Sequence, residues 1–358
     1  MPDGQSYIIP ADLPAPIKGP SAWYGPDLAN SDEWVYRLTQ SDIAEIEAAM
    51  KPLAAREADI AQLTQADFPL PTLGPKLKAL CNEVLNGRGF VLMRGLPVDR
   101  YSIRESATAY FGVGTYFGNA RSQNAKGHVL GHVKDLGLST DDPKVRIYQT
   151  TERQTFHTDS TDIVALLCLK TAKEGGLSSL VSTMTIYNEM YKRAPDLLWE
   201  LFQPFATDRR GEIPEGKLPY FEIPVFNYYE GYLSAIYARR YIESARRLEG
   251  VPPLTEKQKA ALDMFDSLAE SHDLRLDMDF QPGDMQWVHN HTTLHDRTAF
   301  VDWPEPERRR HLLRLWLAAP GARPLPPIYA ERYGKVDIGD RGGIIVPGSR
   351  LNAPLEAV

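Results

Sequence analysis

The sequence predicts a mainly β fold with helical insertions: a double-stranded β-helix, or jelly-roll, core flanked by helices. Three observations carry this. Apolar segments of strand length recur at 89–94, 163–170, 179–184, 285–290 and 311–318. The segment 163–170, IVALLCLK, is apolar on both faces, as a strand covered on both sides must be. Between the third and fourth segments the chain leaves for roughly a hundred residues of largely helical period, too long for an ordinary loop. A strand set that departs for such an excursion and then returns fits a jelly roll decorated with helices.

In chain order, residues 1–40 read as an extended arm, because Pro10, Pro14, Pro16, Pro20 and Pro26 oppose helix while Trp23, Tyr24 and Trp34 offer anchors. Residues 41–55 form a helix with Ile43, Ile46, Met50 and Leu53 on one stripe. A second helix runs from Pro75 to Asn86 and stops at Gly87. Gly89–Arg94 is a strand, and Ser102 with Glu105 forms a capping box that opens a helix through Tyr110 and Phe111. Residues 118–124 lack periodicity and read as a polar loop at a substrate mouth. Val145–Thr150 and Ile163–Lys170 are read as strands, and a Gly175-Gly176 turn leads into Ser179–Met184. Helical period returns over 185–202, and again from Thr255, capped by Gln258, to Ser271. The division expected is an arm (1–40), one catalytic domain (41–320, with its helical insertion at 185–280) and a tail packed on that domain (321–358).

Composition narrows the class. The chain has 358 residues, 43% hydrophobic and 24% charged, enough for a large core. Its net charge of −7 and lack of a basic cluster argue against nucleic acid or an anionic membrane as partner. Cys81 and Cys168 lie in apolar segments and read as free thiols of a reducing compartment. No signal-like start and no run of about 20 apolar residues is visible, so a cytoplasmic location is expected. A homo-oligomer is the base-rate expectation.

The chemistry rests on His157-Thr158-Asp159. On a strand, positions i and i+2 point to one face, so an imidazole and a carboxylate can meet at one ion. A second imidazole from a distant strand completes two His and one carboxylate, the set that leaves positions open on a non-haem Fe(II) centre. His289, His291 and His295 all share strand parity, so alternation leaves the third ligand open. Arg310 and Arg314 share a face, and an inward arginine requires an anionic partner. His128 and His132 read as structural.

The stretches Gly89–Pro97, Phe156–Asp159, Gly175–Ser178, Pro282–Asp284 with His295, and Arg309–Arg314 together resemble the taurine dioxygenase and 2,4-dichlorophenoxyacetate dioxygenase family (TauD/TfdA), over about 89–318. The resemblance implies Fe(II), 2-oxoglutarate as cosubstrate and O2, with release of succinate and CO2. It makes His157, Asp159 and His295 the iron ligands, His295 because the family's distal ligand stands immediately before the Asp296-Arg297 turn. It gives Arg310 the distal carboxylate of 2-oxoglutarate. Ser178 stands where the family usually has a threonine contacting the same carboxylate. Arg314 corresponds to a second arginine, which in taurine dioxygenase contacts the substrate sulfonate. Arg314, Gln123, Asn124 and Tyr148 are the expected substrate-side residues, and hydroxylation of a small organic acid or amino-acid-like metabolite is the expected reaction. A zinc hydrolase on the same triad, or a non-catalytic cupin-like binding protein, are the alternatives. The zinc hydrolase leaves Arg310 and the Gly-Gly-x-Ser turn unexplained, and the intact open triad argues against the binding protein.

Overall fold

A computed structural model describes residues 9–139, 145–344, 346 and 348–357. Two sheets face each other and helices cover their outer faces. The N-terminal segment is not extended throughout: Pro26 sits in the first turn of a short helix, α1 (Gly25–Ala29), and β1 (Val35–Arg37) pairs in parallel with β2 (Phe90–Arg94). Between them in sequence lie α2 (Gln40–Ala55), opened by a Thr39/Asp42 capping box, and α3 (Leu73–Asn86). After β2, the Ser102/Glu105 box opens α4 (Ile103–Gly114) as its spacing predicts. Two short strands follow, β3 (Asn119–Ala120) and β4 (Gly131–Val133).

Residues 145–150 correct the sequence reading. They hold a 3-10 turn, Ile147–Gln149, rather than a strand. Thr150 N and Oγ1 both bond back to Ile147 O, and the Gln149 side chain accepts from Arg146 N, so local partners take the groups that a sheet would need. β5 (Gln154–His157), β6 (Ile163–Lys170), β7 (Glu174–Gly175) and β8 (Ser178–Ser182) come next, then α5 (Thr183–Arg193) and α6 (Pro195–Glu200).

The insertion is also less helical than its sequence suggests. It carries two antiparallel hairpins, β9 (Pro204–Asp208) with β10 (Tyr220–Pro224), and β11 (Phe226–Tyr229) with β12 (Tyr232–Ala235). The second turns on Glu230-Gly231, both at positive φ (47° and 85°), the two-residue turn whose twist matches a hairpin. Helices α7 (Arg239–Ser244) and α8 (Glu256–Glu270, with its Thr255/Gln258 box) complete it. The chain re-enters the sheets through β13 (Leu276–Met278), β14 (Met285–His289), β15 (Thr293–Arg297), β16 (Phe300–Val301) and β17 (His311–Ala318), and ends with α9 (Ala330–Tyr333) and an irregular segment.

The larger sheet runs β1-β2-β14-β6-β17-β3, with β4 also on β17; the smaller runs β13-β8-β15-β5. Alternation explains the layers. Val164 and Cys168 of β6, with Leu312 and Trp316 of β17, turn inward onto Leu180 of β8 and Met278 of β13. Ile163, Ala165 and Leu167 turn outward onto α2, α3 and α4. Val181 and Leu294 on the outer face of the smaller sheet pack against α5, α6, α8 and the β11–β12 hairpin. The site occupies the polar remainder of the space between the sheets.

Candidate metal and cosubstrate site

β15 lies between β5 and β8, and His295 pairs directly with His157. Because Leu294 and Phe156 face outward, both imidazoles face the interior. His157 is the last residue of its strand and Asp159 lies just beyond it, so a loop rather than strand parity brings the carboxylate in. One donor atom from each of His157, Asp159 and His295 lies within 4.8 Å of the others. The two Nε2 atoms are each 3.8 Å from an Asp159 oxygen. His157 Nδ1 bonds Thr155 O at 2.9 Å, which leaves Nε2 for the centre; Gln154 Nε2 lies 2.8 Å from that same lone pair. Burial pushes the His295 imidazole down to about 3, with His157 adding to the effect. Burial raises Asp159, but Arg314, the two imidazoles and the Trp316 indole outweigh it and hold the carboxyl below its usual range. Two neutral imidazoles and one carboxylate with inward lone pairs fit a divalent iron with open positions.

His289 and His291 stand apart. Residues 290–292 turn the chain from one sheet to the other, so the parity shared in sequence does not survive. His289 ends β14 on its outer face, beside the fully buried hydrogen bond between His291 Nε2 and Asp162 at 3.0 Å. His128 and His132 are likewise absorbed locally, by Asn124 and by His311 with Pro354 O.

Arg310 immediately precedes β17 and is 4% exposed. It has no ion pair among the described residues, and its Nη1 is buried without a hydrogen-bond partner. Burial pushes its guanidinium down to about 10. It shares a pocket with Ser178, His157 and His295. Gly176 leaves room for it: a Cβ there, already strained at φ +69°, would lie 3.0 Å from Arg310 Nε.

Sequence reasoning missed Arg297. It stands two residues after His295 on the same inner face, opposite Ser178, and both Arg297 and Arg310 lie against the Phe300 ring. Its Nε and Nη1 are buried without partners, and burial with Arg310 pushes it down to about 9. The i+2 spacing from His295 was the available signal. Neither guanidinium has an ion pair among the described residues, so both carry buried positive charge into this pocket.

The expected substrate-side residues divide. The anionic partner that Arg314 requires is internal: Nη1 lies 3.4 Å from Asp159 Oδ2 and Nε donates to Gln123 Oε1 at 2.7 Å. Gln123 is buried and also donates to the Val129 and Arg314 carbonyls, so it fixes Arg314. Asn124 caps the turn around Lys126 and His128, outside the cleft over the triad. Tyr148 does line that cleft, with the Arg314 guanidinium 4.7 Å from its ring. The cleft also takes Phe221, Ile223 and Tyr237 from the insertion, and Arg332 and Ile344 from the C-terminal segment. No local pattern in the sequence marks these last two.

Fold and site together define a class, the non-haem iron, 2-oxoglutarate-dependent oxygenases. Residues 51–316 match the model of the family "Taurine catabolism dioxygenase TauD, TfdA family", and the chain belongs to it. FR-33289 synthase of Streptomyces rubellomurinus is 34% identical over 328 residues, covering 90% of this chain and 96% of that protein. Taurine hydroxylase-like protein SAT17 of Stachybotrys chartarum is 32% identical over 304 residues, covering 82% and 77%. Among solved structures, asparagine oxygenase with Fe(II), 3-hydroxyasparagine and succinate superposes with a TM-score of 0.62 at 17% identity, over 80% of this chain and 93% of that one. The non-haem iron oxygenase OrfP, with Fe, succinate and (3S)-hydroxy-L-Arg, gives 0.59 at 14%, over 79% and 94%. The protein is thus a dioxygenase that uses iron, 2-oxoglutarate and O2, and the zinc-hydrolase and binding-protein alternatives fall. No helix among the described residues is long and apolar enough to cross a membrane.

Proposed function

We propose that His157, Asp159 and His295 hold the iron, that Arg310 and Ser178 receive the distal carboxylate of 2-oxoglutarate, and that the enzyme hydroxylates a small organic acid or amino-acid-like metabolite. The observation behind this is the convergence of three donor atoms within 4.8 Å in a pocket shared with an unpaired, buried arginine. Bound iron and 2-oxoglutarate supply the oxidative chemistry, with release of succinate and CO2; the protein's part is positional. Thr155 O orients His157, Trp316 and Arg314 hold the Asp159 carboxylate, and Gly176 leaves space for Arg310 to meet a carboxylate with a planar pair of donors. The apolar walls from Phe221, Ile223 and Ile344 exclude water from the reacting C–H bond. The two free cysteines favour a reducing, cytoplasmic setting.

The test is anaerobic addition of Fe(II) and 2-oxoglutarate. A weak metal-to-ligand charge-transfer band in the visible is expected for the wild type and for His291→Asn. It should be lost in His157→Ala, Asp159→Ala and His295→Ala. A band that survives in His295→Ala rules out the third ligand. A succinate-release screen over organic acids and amino-acid derivatives then identifies the substrate.

A further inference from the structure

The cleft over the triad is lined by five arginines and two carboxylates. Three of the arginines are matched. Arg146 pairs with Glu212 at 2.6 Å, Arg314 lies on Asp159, and Arg239 is shared among Glu243, Asp263 and Asp266. The other two, Arg332 and Arg240, are half-buried and have no ion pair among the described residues. Both are carried on segments tied to the metal-ligand loop. Arg332 Nε donates to Ser160 Oγ at 2.7 Å, one residue after Asp159; its guanidinium lies 5.9 Å from the Phe221 ring, and its Nη groups have no hydrogen bond among the described residues. Arg240 lies two residues beyond Ala238, which bridges His157. The wall between them is apolar: Phe221, Ile223, Ile236 and Ile344. A half-buried guanidinium facing a low-dielectric cleft is a strong receptor for an oxyanion, because the water that would otherwise screen it is partly excluded.

We infer that Arg332, assisted by Arg240, is the substrate anchor, and that the substrate carries an oxyanion head group (carboxylate, phosphonate or sulfonate) on a short aliphatic body. This rests on the reading of the iron, cosubstrate and acidic substrate above and adds to it the residues that read the substrate's charge. The anchor is not the strand arginine, Arg314, whose charge is taken by Asp159. It comes from the C-terminal segment, beyond the 51–316 stretch that defines the family.

The experiment uses enzyme loaded anaerobically with Fe(II) and 2-oxoglutarate, titrated calorimetrically with butanoate, propane-1-phosphonate, propane-1-sulfonate and neutral butanamide. At least one anion should bind saturably and butanamide should not; the tightest anion names the head group. Arg332→Met should weaken that anion by roughly tenfold or more, the loss of a hydrogen bond to a charged group. Arg332→Lys should weaken it less, and Arg240→Met by an intermediate amount. The charge-transfer band shows that each variant is folded and loaded. Equal affinity in Arg332→Met and wild type, or butanamide binding as well as the anions, overturns the inference. Absence of the band in wild type instead defeats the cosubstrate reading, and it does so before any probe is added.

Discussion

Arg310, just before β17, and Arg314, within it, sit four residues apart, yet their surroundings give them different work. Arg310 is buried with no ion pair among the described residues, whereas Arg314 is engaged by Asp159 and Gln123. Arg310→Met should therefore raise the 2-oxoglutarate constant steeply, by roughly the several kcal/mol that attend loss of one side of a buried charged pair. Arg310→Lys should recover only part, since an ammonium lacks the planar two-donor fork. Arg314→Met should lower iron affinity, because Asp159 then loses its cation, and should leave the 2-oxoglutarate constant less changed. Steady-state cosubstrate constants and metal titrations check both; equal loss of 2-oxoglutarate affinity in the two variants would place Arg314 in the cosubstrate site. At this scale the sequence was informative where spacing alone sets direction, as for Leu312, Arg314 and Trp316 on β17 and Arg310 just before it. It was silent on partners. That Asp159 neutralises Arg314 depends on a loop meeting a strand 155 residues away.

The C-terminal segment is the element whose role sequence patterning could not reach. It holds the residues that follow Asp159. Arg341 Nε donates to Asp162 at 2.9 Å with both side chains fully buried, Gly343 N bonds Ser160 O at 2.7 Å, and Arg332 reaches Ser160 Oγ. Arg341→Met leaves Asp162 with His291 and the Ala319 amide as its remaining partners. Breaking one side of a buried pair costs about 3–5 kcal/mol, so the urea midpoint should fall sharply, and iron affinity should fall with it as residues 160–162 loosen. A variant as stable as wild type would make the contact incidental. Its helical turns are too short to show a period, α9 having four residues, and the rest of its described residues are irregular, so its order comes from what it touches. The same reason hid the β9–β10 and β11–β12 hairpins, whose four- and five-residue strands sit among helices and give no window long enough for a period of two to stand out.

At the scale of the whole molecule, the neighbouring strands β4 and β17 of the larger sheet bring a pair of histidines together. His132 Nε2 donates to Pro354 O, so its Nδ1 accepts from His311 Nε2 at 2.8 Å, and both rings are neutral. Burial pushes His311 down to about 3, with His132, Lys134, Lys170 and Arg310 adding to it; burial lowers His132 as well. In both, the folded pKa lies below the unfolded value near 6.5, so the unfolded chain binds more protons in acid. Their contribution to stability is complete above about pH 6.5 and declines as pH falls toward 3, by at most roughly 1.4 kcal/mol per unit for each ring. Thermal midpoints from pH 7 to 4.5 should fall less steeply in a His132→Asn/His311→Asn double variant than in wild type, and parallel slopes would exclude the pair as the cause.

What the sequence by itself determined is whatever the local chain dictates. Alternation set which residues of 310–316 share a face, capping boxes set the starts of α4 and α8, and the five matching stretches together were enough to read the reaction class. Strand parity left three histidines open and only the family resemblance chose His295; the tertiary structure gives the physical reason, since the turn at 290–292 cancels the shared parity and brings His295 beside His157 and Asp159. It also decided which arginines stay free for ligands, since a charge is committed or available only by its neighbours in space. The substrate wall is of the second kind, built from an insertion and a C-terminal segment that meet only when the sheets close, because the energy that orders them lies in contacts distant along the chain.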